Sequence, residues 1–356
     1  MAAGDQELHH FFEKSSERFE QAAAALGEQT RDFTIADRQV RVRFAGTSLV
    51  HLARPLEHLE HGGSMDHTDK PELEILVWDG VGPWQPPAPP WDFEQLHWFG
   101  EVAGLGSDEF SVNFAADQGL LCMLHRPTRR AIFWLPDAQC LPFWETAAPF
   151  RVIFHWWAQT FGGHVAHAAA VGREGNGVLL VGRGGSGKST TSIACVDAGM
   201  EYVGDDYVLL VRTPQPTAHS LYQTAKIHTR FLHRALSHWA GWVAGEIGPE
   251  GKSLLFLNEH LPQQMRRRLA VHGVIQPRVT ANAQARIERQ AAARGLLAIA
   301  PSTMYQLPEA RQATLSFFAE WTRAVPAYLL HLGTDLTSAP RALSRLVADK
   351  EVRRAA

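Results

Sequence analysis

Residues 177–189 read Gly177-Val178-Leu179-Leu180-Val181-Gly182-Arg183-Gly184-Gly185-Ser186-Gly187-Lys188-Ser189. From Gly182 to Ser189 every fixed position of G-x-x-x-x-G-K-[ST] is satisfied, and the motif sits where it must, after a short apolar strand candidate and before a helix candidate over 188–198. Glycines let the backbone turn its N–H groups inward around an anion, and the helix that follows adds its partial positive end. Lys188 supplies a full charge for β- and γ-phosphates, and the Ser189 hydroxyl is suited to ligating Mg²⁺. The expected phosphate-binding set is Gly182, Gly184, Gly185, Ser186, Gly187, Lys188, Ser189 and Thr190. A flexible glycine loop without a ligand explains neither the lysine nor the flanking elements. The nucleotide expected is ATP, with another nucleoside triphosphate as the weaker choice.

Outward from the loop, Gly199 occupies a helix-ending position and Gly204-Asp205-Asp206 leads into an apolar strand candidate over 207–211. Strand, helix, strand in that order predicts an α/β core with a parallel or mixed sheet. Adjacent carboxylates in a strand point to opposite faces, so Asp205 and Asp206 share one task only if the backbone bends between them. Upstream, His167-Ala168-Ala169-Ala170-Val171 precedes the loop.

The order of histidine, phosphate loop, glycine and paired aspartate over residues 167–210 resembles the catalytic core of bacterial HPr kinase/phosphorylase. The run is most similar to that of the HPr kinase-related proteins encoded in biosynthetic gene clusters of the lasso-peptide type. The resemblance implies a P-loop kinase core of the HPr kinase/PEP carboxykinase type with a mixed sheet, and a Mg²⁺-dependent transfer of the ATP γ-phosphoryl to a hydroxyl, foremost a serine of a protein or peptide. It also implies roles: Asp205 as general base, Asp206 with Ser189 as metal ligands, and His167 beside the phosphates as a stabiliser of charge. Which aspartate is the base stays open, because both are carboxylates at one strand end.

Other residues are weaker candidates. Lys226 could neutralise a phosphate or be an exposed lysine, and Arg278 after the apolar Val274-Ile275 could clamp the γ-phosphate or be a surface ion pair. Residues 300–303 could cap a helix or meet substrate, the cap being the stronger reading, and Arg266-Arg267-Arg268 reads as a solvated face.

The first 148 residues have a different character. A helix is expected over 5–26, strands over 39–44, 72–78, 109–114, 120–124 and 131–135, and an extended proline-rich linker over 82–91. This describes a smaller α+β, strand-rich domain over 1–148, with the kinase domain over 149–356 opening on an aromatic helix at 150–161. Further elements are expected at 309–323 (helix), 327–332 (strand) and 339–350 (helix). Trp78, Trp84, Trp91, Trp98 and Trp134 either form the core of that first domain or line a groove for a peptide.

Composition bounds the partners. With 34 basic and 37 acidic residues the formal charge is −3, which gives no bulk attraction to nucleic acid or an anionic membrane. No run of 18 apolar residues occurs, and the three separated cysteines suggest neither disulfides nor a clustered zinc site. A cytoplasmic protein is expected, with the oligomeric state open and a homo-oligomer included. The competing readings are a nucleotide-controlled binding module without transfer and a kinase for a small-molecule hydroxyl.

Overall fold

The computed structural model describes residues 3–60, 70–97, 100–102, 107–248, 251–308 and 311–349. The chain divides into two compact units, Met1–Phe161 with Leu307–Glu309, and Gly162–Gln306 with Ala310–Ala356.

The first unit begins with α1 (Ala3–Leu26), whose Leu8, Phe11, Phe12, Phe19, Ala22 and Ala23 recur at helical spacing and are all buried. Next come β1 (Glu28–Ile35) and β2 (Arg38–Ala45), joined at Ala36-Asp37, both in the left-handed region with φ of 50° and 60°, as a tight hairpin turn requires. β3 (Leu73–Asp79), β4 (Phe110–Ala115), β5 (Leu120–His125) and β6 (Arg130–Leu135) complete a six-stranded sheet in the order β1-β2-β3-β6-β5-β4. β3 runs parallel to both β2 and β6, and the other pairs are antiparallel. The expected strands are present. β1 escaped notice because Glu-Gln-Thr-Arg-Asp is a solvated edge with apolar residues only at Phe33 and Ile35.

Successive residues of β6 serve opposite faces. Ile132 joins the core beneath α1, whereas the Phe133 ring meets Phe150, 4.9 Å away, at the start of α2 (Arg151–Gln159). Helix α2, expected to open the second domain, is therefore part of the first unit. Its Trp157 indole donates to the Glu72 carbonyl at 3.2 Å, and Glu145 accepts from both the Phe150 amide and Arg151. Trp78 and Trp91 are buried in the core, with Trp84 and Trp134 packed partly buried against it, while Trp98 lies outside the described residues. The proline stretch also borders a groove of about 450 Å³ lined by Phe11, Pro86, Trp91, Phe114 and Trp134 among others, so the aromatics serve both as core and as groove wall.

The second unit runs β7 (His164–Ala166), β8 (Ala169–Arg173), β9 (Asn176–Leu180), α3 (Lys188–Asp197), β10 (Glu201–Gly204), β11 (Val208–Val211), β12 (Thr217–His219), β13 (Thr224–His228), α4 (Thr229–Ala235), β14 (Val243–Ile247), β15 (Lys252–Phe256), β16 (Arg268–Val279), β17 (Arg286–Gln290), α5 (Ala292–Gln306), α6 (Arg311–Ala324), β18 (Ala327–Leu332) and α7 (Ser338–Ala348). The main sheet has the order β10-β8-β9-β16-β12-β11-β7, with β18 also paired to β16 and β17 to β18. It is mixed: β9 and β18 are parallel to β16, and the remaining pairs are antiparallel.

Both faces of this sheet are covered. Val171, Val178 and Leu180 pack with Ile193 and Val196 of α3 and Leu343 of α7, whereas Ala170, Leu179 and Val181 pack with Ile299 of α5 and Phe318 and Trp321 of α6. That double burial explains the uninterrupted apolar run before the loop. One detail differs from expectation: the strand after α3 is β10, and β8 stands between it and β9. β13, β15 and β14 form a separate three-stranded sheet. Residues 300–303, expected to cap a helix, lie inside α5, with Pro301 within the helix. The described residues contain no helix long and apolar enough to cross a membrane.

Candidate functional site

The glycine-rich loop leaves β9 at the carboxyl end of the sheet and enters α3 at Lys188. Gly187 has φ of 99°, a conformation that favours glycine, whereas the space is less strict, since a Cβ there would meet at 2.6 Å only Leu332 Cδ1, the movable end of a side chain. Gly184 differs, for it has no left-handed φ and a Cβ would meet nothing within 4 Å. Lys188 is 6% exposed, and its Nζ donates to the Gly182 carbonyl at 2.7 Å and the Arg183 carbonyl at 3.4 Å, which folds the side chain across the loop. Burial lowers its pKa, against the pull of Asp205 and Asp206.

The backbone does bend at the paired aspartates. β10 ends at Gly204, Asp206 takes φ of 71°, and its carbonyl accepts from the Ala168 amide at 3.0 Å. The bend places two carboxylates in one site with different surroundings. Asp206 ion-pairs with Lys226 and lies 3.7 Å from His167 Nε2. Burial raises its pKa, yet Lys226 and His167 outweigh that and hold the carboxyl well below the usual range. Asp205 is 3% exposed, and among the described residues neither carboxylate oxygen meets the distance and angle of a full hydrogen bond, although the Ser189 side chain interacts with it. Burial and the neighbouring Asp206 charge push it up to about 7, with Ser189, Lys188 and Lys226 drawing it down.

His167 is fixed by helix α5. Its amide donates to Thr303 Oγ1 at 3.0 Å, and its Nδ1 meets Ser302 Oγ. The Tyr207 hydroxyl donates to Gln306 Oε1 at 2.6 Å, which turns the Gln306 amide nitrogen to His167 Nδ1 at 3.2 Å. Nδ1 is then the acceptor, so the ring proton belongs on Nε2, facing Asp206. Burial lowers the pKa of this imidazole in spite of that carboxylate.

A cleft of about 960 Å³ opens over the loop, lined by residues 182–186, by Gln276, Pro277, Arg278 and Val279 at the end of β16, and by Leu297, Ala298, Pro301, Ser302, Tyr305 and Gln306 of α5. This is the size of a cleft that takes a nucleotide or a comparable ligand. Of the residues singled out from sequence, His167, the loop, Asp205, Asp206 and Lys226 share one neighbourhood, and Arg278 stands on the cleft wall. Thr190, expected among the phosphate ligands, lies in the first turn of α3. Gln306 was missed, and Ser302 and Thr303 were singled out only as a cap or a substrate contact, because all three contact His167 across 135 to 139 residues of sequence. Arg266 is held by Glu201 at 2.8 Å, as a surface pair would be.

The residues fit a phosphate chain and a divalent cation. Among the described residues, both Asp205 oxygens and Ser186 Oγ of the loop are buried without a hydrogen-bond partner, and a buried carboxylate so placed is a costly arrangement that a ligand relieves.

No protein-family model and no curated protein matches this chain. Among solved structures, the HPr(Ser) kinase/phosphatase from Coxiella burnetii matches with a TM-score of 0.31 at 15% identity, over 54% of this chain and 92% of that one. At that TM-score the likeness supports no residue role and no activity, which rest on the geometry of this chain.

Proposed function

We propose that the chain is a phosphotransferase of the HPr kinase-related kind, moving the γ-phosphoryl of ATP to a hydroxyl, foremost a serine of a protein or peptide. The observation that carries this reading is the contrast between the two aspartates. Asp206 is neutralised by Lys226, while Asp205 is buried, unpaired and raised to about 7, a value suited to accepting a proton near neutral pH.

The loop backbone and Lys188 would hold the phosphates, and Asp205 would take the proton of the incoming hydroxyl. His167, oriented by Gln306 and Ser302, would present its Nε2 proton to developing negative charge. Ser189 and Asp206 are the residues that would hold Mg²⁺, which supplies charge neutralisation on the phosphates when bound. An open cleft rimmed by exposed Leu297, Tyr305 and Val279 favours an acceptor presented on a peptide over a small molecule that must be enclosed. The proline-flanked groove of the first unit is the proposed recognition element for that partner.

The test is transfer from labelled ATP to peptides encoded in the genomic neighbourhood, with the modified residue found by mass spectrometry. Asp205→Asn is expected to keep ATP binding and lose roughly 10²–10⁴ in transfer, the range for a lost general base. Equal labelling by the variant would remove Asp205 from the mechanism. ATP binding by the wild type with neither hydrolysis nor transfer would favour a nucleotide-controlled binding module.

A further inference from the structure

The first unit carries a second set of ligand-bearing side chains, independent of the phosphate loop. His9 of α1, Glu109 immediately before β4 and His125 at the end of β5 each offer one ligand atom, and these lie within 4.8 Å of one another. Register brings them together: Phe110 pairs with His125 across the β4–β5 ladder, which sets Glu109 beside that histidine. His9 Nε2 is 2.9 Å from Glu109 Oε2.

His125 is the distinctive member. It is only 6% exposed, and its Nδ1 is engaged by Thr128 Oγ1 at 2.8 Å, which leaves the other ring nitrogen available as a ligand. That nitrogen, Nε2, is buried and has no partner among the described residues. An unpaired buried ring nitrogen is costly, and a metal bond would satisfy it. The ring is clamped as well: Phe110 stacks on it at 4.4 Å, and the Phe12 ring centre is 5.3 Å away. The same Phe110 meets His9 edge-on at 4.8 Å. Side chains so held lose little freedom on binding an ion. The His9 and Glu109 side chains are 29% and 42% exposed, leaving one side open to water.

We propose that His9, Glu109 and His125 bind a divalent transition cation of the zinc class, through two imidazole nitrogens and one carboxylate oxygen, and that the ion clasps α1 to the β4 edge of the sheet. Imidazole ligands favour such an ion over Mg²⁺ or Ca²⁺, and a set of three protein ligands leaves a fourth position for water.

The experiment uses the full chain stripped with a chelator and dialysed against Zn²⁺, with bound metal counted by mass spectrometry and coordination read from the visible absorption of a Co²⁺-substituted sample. One equivalent is expected, with the Co²⁺ spectrum of a four-coordinate site. His9→Gln and Glu109→Gln, both at partly exposed positions, should each weaken binding tenfold or more while the circular dichroism is unchanged. Zn²⁺ should raise the unfolding temperature of the wild type and not of these variants. Absence of Zn²⁺ uptake at micromolar free metal would overturn the proposal and leave a plain His9–Glu109 ion pair. Undiminished binding by both variants would overturn it too, by placing the ion elsewhere, including at the Asp205–Asp206 site.

Discussion

If Asp205 is a buried carboxyl raised to about 7 from its ordinary 3.8, it must leave a mark on stability, because the folded protein keeps a proton that the unfolded chain has already released. The stabilisation from that proton is fully present below 3.8 and is lost as pH rises through 7. Between pH 5 and pH 7 the loss runs over somewhat less than two pH units at about 1.4 kcal/mol each, or roughly 2–3 kcal/mol. Asn at this position has no proton to lose. Replacing Asp205 by Asn should therefore make the protein progressively more stable than wild type as pH rises from 5 to 8, a gain of roughly 5–10 °C in unfolding temperature for a unit of this size. The buried histidines, such as His164 with its pKa lowered to about 4, titrate alike in both proteins and cancel in the difference. The assay is thermal unfolding of wild type and Asp205→Asn at pH 5, 6, 7 and 8 without nucleotide. A difference that stays constant across that range would refute the raised carboxyl and with it the physical basis for Asp205 as a base.

Three further outcomes are expected. Lys188→Ala should weaken ATP binding by about 1.5–3 kcal/mol, measured by calorimetry, since it removes the charged donor folded across the loop. Gly187→Ala should destabilise the protein by about 1–3 kcal/mol through its left-handed φ, whereas Gly184→Ala should be close to neutral, as paired thermal melts would show. A fragment of residues 162–356 should unfold cooperatively. One beginning at residue 150 should aggregate, because it carries the apolar face of α2 without the Phe133 side of the first sheet that covers it; equal solubility of the two fragments would count against that division.

How far the sequence reaches depends on the range of the interactions. The loop, the strand before it and the helix after it are legible because their requirements are local: glycines for the turn, an apolar run for a strand buried on both faces, and a lysine at a fixed offset. Helix α1 and the strands β2 to β6 are legible for the same reason, their burial being written in periods of 3.6 and 2. Helix α2 shows the limit. Its aromatic residues announce a buried helix, but they do not say which of two sheets it covers, and tertiary packing assigns it to the first.

The candidate site divides in the same way. Residue type and spacing single out Lys188, Ser189 and the paired Asp205 and Asp206 as candidate chemical groups, and the resemblance to HPr kinase/phosphorylase adds His167. They do not separate the two aspartates, which are identical in covalent chemistry and adjacent in the chain. Only the folded structure does so, by bending the backbone at Asp206 and bringing Lys226 to one carboxylate while leaving the other buried and unpaired. The orientation of His167 by Ser302 and Gln306 is likewise decided in three dimensions, because helix α5 returns to the site from more than a hundred residues away. Electrostatic environment depends on distance in space, and distance along the sequence does not determine it.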